Sequence, residues 1–142
     1  MDEVSFGGEF SRVTLHVIGP ESPNASGDDG QWLVTEIEVA VGGMHAVVQR
    51  AALRADELRS FAAQLEELHR TLAGAAHLSS MEEWIELRIE AHRDGTLAVA
   101  GRVKDAPGDG NELRFTLPHL DQTCIPPLVA DLHSAIDRHK PR

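Results

Sequence analysis

The sequence is poor in aromatic residues: four Phe, two Trp and no Tyr, 4% of the 142-residue chain. A core must therefore be built from Leu, Val, Ile and Ala. Cysteine is almost absent. Cys124 stands alone, so no internal disulfide can form, and a reducing cytoplasm is the expected location. No apolar run approaches the roughly 18 residues a membrane span needs. The start, Met1-Asp2-Glu3-Val4, lacks the basic and apolar regions of a signal peptide. Basic residues are also short: 13 Lys and Arg against 23 Asp and Glu give a formal net charge of -10. A nucleic-acid binder needs cations to neutralise phosphate, so the balance excludes DNA and RNA as expected partners. It favours solubility and attraction to basic partners.

What is present reads as alternating strands and two amphipathic helices in a single domain spanning 1–142. Phe10 to Ile18 alternates Val13, Leu15 and Val17 with polar residues, a strand pattern. Residues 19–30 are turn formers and read as a flexible loop. Trp32 to Val41 is the clearest strand; Gly42-Gly43 predicts a tight hairpin, and Met44 to Gln49 its return. Between Ala55 and Leu72, the residues Leu58, Phe61, Ala62, Leu65, Leu68 and Leu72 form one helical stripe, with Gly74 expected to close it. Glu83 to His92 and Thr96 to Lys104 form a second hairpin around Asp94-Gly95, and Leu113, Phe115 and Leu117 mark a sixth strand. A last helix carries Ile125, Leu128, Val129, Leu132 and Ile136, with Thr123 a candidate N-cap and 139–142 a frayed tail.

The expected fold is thus α+β: a six-stranded antiparallel sheet with two helices on one face, in the order βββα-βββα. Aligning Trp32 with Trp84 also matches Ile37 with Ile89, Glu38 with Glu90 and Gly43 with Gly95. Either the unit is duplicated or two hairpins of similar design look alike. If both helices cover the apolar face, the other face carries Trp32, Glu36, Glu38, Trp84, Glu86 and Glu90 together, flanked by Arg50, Arg88, His92 and Arg102. Tryptophan is enriched at binding hot spots, so these six are the candidate partner-binding residues. A six-stranded face, about 25–30 Å wide, can offer on the order of 800 Å² to a partner. The competing arrangement buries both indoles under loops.

Catalytic patterns are missing. There is no Gly-x-Ser-x-Gly elbow and no phosphate-binding Gly-rich loop. The eight histidines include no His-x-x-x-His or His-Glu-x-x-His pair. His133 and Asp137, one helical turn apart, read as a surface pair rather than metal ligands, and Cys124 as a small packing residue. No catalytic residue, metal or cofactor is expected; an apolar pocket between sheet and helices for a small molecule is a lesser reading.

The run Trp32-Leu33, then Gly42-Gly43, then Leu58-x-x-Phe61-x-x-x-Leu65-x-x-Leu68, resembles bacterial WapI-type immunity proteins. So do Glu83-x-Ile85-x-Leu87, Gly95, Leu113-x-Phe115 and, most tellingly, Asp121-Gln122-Thr123. The resemblance runs from about Gln31 to Ile136 and, apart from Asp121-Gln122-Thr123, rests mostly on apolar positions. It implies a non-enzymatic inhibitor in contact-dependent bacterial competition. Such an inhibitor neutralises the toxic C-terminal domain of a secreted toxin, often a nuclease. It brings no functional residues with it, and Asp121 and Thr123 have a structural role as helix-start caps. The alternative is a non-enzymatic interaction module, or a homodimer through the open face.

Overall fold

The computed structural model describes residues 2–22 and 29–139. It contains eight strands in two four-stranded sheets, rather than six in one. The first sheet, A, is the meander β1 (Asp2–Gly7), β2 (Ser11–Pro20), β3 (Trp32–Val41) and β4 (Met44–Arg54), followed by α1 (Ala55–Thr71). The second, B, is β5 (Ala75–Ser79), β6 (Ile85–Ala91), β7 (Thr96–Lys104) and β8 (Glu112–Asp121), followed by α2 (Ile125–Arg138). The element order is ββββα-ββββα, which corrects βββα-βββα. Two short strands make the difference. β1 pairs with β2 through Val4↔Leu15 and Phe6↔Val13, and β5 with β6 through Ala76↔Ile89 and Leu78↔Leu87.

The helices interlock the two units. α1 lies against β5, α2 lies against β1, and the helices touch each other. Gln64 of α1 clamps β5: its Oε1 accepts from His77 N at 3.0 Å and its Nε2 donates to His77 O at 3.3 Å. Glu57 does the same at the start of the helix, accepting from Arg54 N at 2.7 Å and Met81 N at 2.6 Å. At the far side Asp2 accepts from Arg138 Nη1 at 3.1 Å and pairs with His139 Nε2 at 2.8 Å. Inward-facing Leu, Val and Ile from both sheets and both helices form one continuous core.

Local expectations are refined in detail. Leu72, not Gly74, ends α1 in a left-handed conformation (φ 50°), its N–H bonding Leu68 O at 2.8 Å. Asp121, not Thr123, caps the entry to α2, accepting from Thr123 N at 2.9 Å in front of a 3-10 turn, Gln122–Cys124. Within 19–30, β2 runs on to Pro20 and a 3-10 turn spans Asp29–Gln31; the rest of the expected loop, 23–28, lies outside the described residues, as do 140–142 of the expected tail. The 52-residue self-alignment pairs the hairpin β3–β4 with β6–β7, which occupy different places in their units. The repetition of element order therefore does not follow that alignment.

Candidate partner-binding surface

Splitting the strands into two sheets splits the expected face. Trp32, Glu36 and Glu38 lie on the outward side of sheet A; Glu86 and Glu90 lie on the outward side of sheet B, and Trp84 stands just before β6, packed against the core. The side-chain parity read from the sequence holds, because Ile37 and Val39, and Ile85, Leu87 and Ile89, are buried on the opposite sides. The single six-stranded surface that would have joined all six residues is absent.

The two outward faces differ in how their carboxylates are satisfied. On sheet B, cross-strand register places Glu86 opposite Arg102 and Arg102 opposite Arg114. Arg102 Nε donates to Glu86 at 2.7 Å and its Nη1 to Glu112 at 2.9 Å; Arg114 Nε donates to the other oxygen of Glu112 at 2.7 Å. Arg88 pairs with Glu90 at 3.3 Å, and Lys104 with Glu83 at 3.2 Å. The Arg102 hydrogen bond holds the Glu86 carboxyl below its ordinary pKa, and Arg114, then Arg102, do so for Glu112. Both stay ionised and both are already partnered.

On sheet A the register rows are Glu3↔His16↔Glu36 and Ser5↔Thr14↔Glu38↔Val47. Among the described residues neither Glu3 nor Glu36 has an ion-pair partner, and Glu38 has only His45, at 3.3 Å. Arg12, one row away, is turned to Ser5 Oγ and to the carbonyl of Gly7 at 3.4 Å. Glu36 and Glu38 are half-buried, Glu38 opposite exposed Val47 and Glu36 opposite the irregular stretch that holds exposed Arg50; no Arg or Lys lies within ion-pair distance of either carboxylate among the described residues.

The tryptophans also differ. Trp32 is half-buried at the end of this face, with the Arg54 guanidinium 5.1 Å from its ring centroid. Trp84 is half-buried too, but packs against the core, and its Nε1 is enclosed without a hydrogen-bond partner among the described residues. A depression of about 430 Å³ lies on the outward side of sheet B, floored by Ala100 and Gly101 and rimmed by His77, Arg88, Arg102 and Arg114. It is not between sheet and helices, where the small-molecule reading had placed one. No three His, Cys, Asp or Glu residues converge as a metal site among the described residues, and His133 instead meets Glu66 of α1 at 2.7 Å. No helix is long and apolar enough to cross a membrane, again among the described residues.

Sequence reading missed the exposed apolar residues at one end of sheet A: Phe10 (80% exposed), Met44 (57%) and Val47 (41%). Phe10 is drawn to the β3–β4 hairpin by the bond from Gly42 N to its carbonyl, 3.0 Å. The signal available was that Met44 abuts the predicted Gly42-Gly43 turn.

The model of the immunity protein WapI-like family matches residues 5–140, nearly the whole chain. The chain belongs to the WapI-like immunity protein family. Membership carries an immunity function and implies a cognate toxin as partner. The chain matches no curated protein and no solved structure. For a WapI-like immunity protein the relevant chemistry is recognition of another protein.

Proposed function

We propose that this protein acts in the cytoplasm as a non-enzymatic inhibitor, binding a basic cognate toxin domain through the outward face of sheet A. The observation that carries the reading is the contrast in ion pairing. Glu36 and Glu38 have no Arg or Lys partner among the described residues, while Glu86, Glu90 and Glu112 are each held by arginine. A toxin that cleaves nucleic acid needs a phosphate-binding, cationic cleft. Carboxylates set on a rigid sheet meet such a cleft without first breaking an internal ion pair. Trp32 at the end of the same face supplies contact area with a preset ring orientation. Trp84, Glu86 and Glu90 then serve chiefly to hold sheet B.

The test is to express candidate toxin domains from the neighbouring genes and titrate them calorimetrically against the protein and two alanine sets, over a salt series. Replacing Trp32, Glu36 and Glu38 together is expected to weaken binding by about a hundredfold or more and to flatten its salt dependence. Replacing Glu86 and Glu90 is expected to change binding by less than about threefold. Equal losses from the two sets would overturn the assignment to sheet A. A toxin whose activity is unaffected by the tightly bound wild-type protein would overturn the inhibitory reading itself.

A further inference from the structure

Each sheet has two edges, and a bare edge invites pairing with another chain unless something blocks it. Three of the four are blocked. α2 lies against β1, and α1 lies against β5. β8 carries Pro118, a pairing irregularity between the partners of Leu97 and Val99, and His119 at φ 60°; it also lies near β2 and β3. The remaining edge, the first half of β4, has none of these devices. From Met44 to Val48 its pairing with β3 is regular, and the irregularity opposite Glu36 comes only afterwards. The surrounding stretch, residues 39–55, holds no Pro, Lys, Asp or Glu, in a chain with 23 acidic residues.

We infer that this edge pairs with the same edge of a second copy, joining two A sheets into one eight-stranded antiparallel sheet. This is a different surface from the open face considered at the outset, and it does not depend on the toxin reading. The backbone sets the register. Val41 and Met44 close a two-residue turn, so they form a hydrogen-bonded pair, and Val39–Ala46 and Ile37–Val48 follow by alternation. The N–H and C=O groups of His45 and Val47 therefore point away from β3, to the open side. A two-fold axis at Val47 sets Val47 against Val47 of the second copy and Ala46 against its Val48, with His45 meeting Gln49 where the irregularity begins. The pair at the axis exchanges both of its outward bonds.

Charge permits a second copy here, since from Met44 to Val48 the edge holds no carboxylate, Arg or Lys. Two chains of net charge -10 repel, yet this pairing brings together a stretch without carboxylates and buries exposed Val47 against itself. Glu38, the neighbour of Val47 on the outward face, ends up three strand spacings from its counterpart, about 14 Å. That exceeds the roughly 8 Å screening length at physiological salt. The regular stretch, Met44 to Val48, spans only about 17 Å. The contact is smaller than the roughly 800 Å² per partner of a stable complex, so the dimer forms at micromolar to submillimolar concentrations and dissociates on dilution.

Sedimentation equilibrium of the full chain, from about 1 µM to about 1 mM, is the test. We expect a reversible monomer–dimer equilibrium, with the His45 and Val47 amides exchanging more slowly with deuterium as concentration rises. Val47→Lys and Val47→Pro should each raise the dissociation constant at least about tenfold; the proline removes an N–H that bonds nothing within the protomer. Ile18→Lys, a control at another exposed apolar residue, should leave it unchanged. A chain that stays monomeric at the highest concentration overturns the inference, whatever other protein might use the edge. So does a dimer indifferent to both Val47 variants while each remains folded by circular dichroism. Toxin affinity measured well below the dimer midpoint reports on the immunity reading alone, so the two failures are distinguishable.

Discussion

Sheets A and B share a strand count, a meander order and a following helix, yet they use their outward carboxylates in opposite ways. Sheet B spends Glu86 and Glu112 on Arg102 and Arg114, tying three adjacent strands together across their outward faces. Among the described residues, sheet A leaves Glu3 and Glu36 without ion pairs and turns Arg12 to hydroxyl and carbonyl oxygens. An ion-paired sheet face is stable in itself and has little to gain from a basic partner. A face with uncompensated carboxylates pays a small electrostatic cost alone and recovers it on binding. The difference suggests a division of labour between two units of the same design, one serving mainly the fold and the other mainly the surface.

Charge reversal should break the comparison most visibly. Glu36→Lys with Glu38→Lys is expected to cost about 3–4 kcal/mol of toxin affinity, mostly as slower association at low salt, which stopped-flow mixing would detect. Glu86→Lys should instead leave association nearly unchanged and lower the melting temperature, since it sets a cation against Arg102. The inner sides differ as well. Sheet B has Gly101 between Leu87 and Phe115, where an added Cβ would lie 2.6 Å from Phe115 Cζ, 2.7 Å from Leu87 Cδ2 and 2.9 Å from Glu86 O. Gly101→Ala should therefore destabilise by about 1–3 kcal/mol in urea unfolding, because a backbone carbonyl cannot move aside as a side chain can. The junction between the units comes next. Glu57→Ala leaves the Arg54 and Met81 amides without their acceptor and should cost about 1–2 kcal/mol, with α1 and the β5–β6 loop losing hydrogen-exchange protection first.

Much of this arrangement was legible from residue order. Gly42-Gly43 and Asp94-Gly95 announced their hairpins, and the Leu58–Leu68 stripe its helix. Parity alone put Glu36, Glu38, Glu86 and Glu90 outward. What the sequence concealed were β1 and β5. Asp2–Gly7 has only Val4 and Phe6 as apolar strand formers, and Ala75–Ser79 is dominated by Ala and Ser, which have little strand preference. Both are strands because a neighbour supplies the hydrogen bonds and a helix from the other unit covers them, contacts no local window contains. Missing them merged two sheets into one and put all six candidate residues on a common face. The ion pairing was hidden for a related reason. That Glu86 faces Arg102 and Arg102 faces Arg114 depends on the register of β6, β7 and β8, which the bulge near Val99 helps to set.

The smallest effect is also the one that tests the division of labour within a single sample. Glu67 on α1 of the first unit has a pKa lowered by Arg70, and five carboxylates of the second unit, Glu86, Asp94, Asp105, Glu112 and Asp121, are lowered as well. Their causes are Arg102 for Glu86, the Thr96 hydroxyl for Asp94, Asn111 for Asp105, Arg114 for Glu112 and Thr123 for Asp121. A carboxyl with a depressed folded-state pKa adds stability that is fully present above its unfolded value. For Glu86 and Glu112 that value is 4.5, and the contribution fades as pH falls through the lower folded value. Glu57, raised mainly by burial, works the other way: protonation is easier in the fold, so its effect is favourable in acid and is lost as pH rises through the raised value. Thermal melts of wild type and of Glu86→Gln with Glu112→Gln should therefore differ at pH 6 by only about 2–4 °C, because exposed pairs contribute little, and converge toward pH 3. A gap that stays as wide at pH 3 as at pH 6 would mean that the lost stability comes from packing rather than from these ion pairs, and the role given to the arginines of sheet B would have to be abandoned.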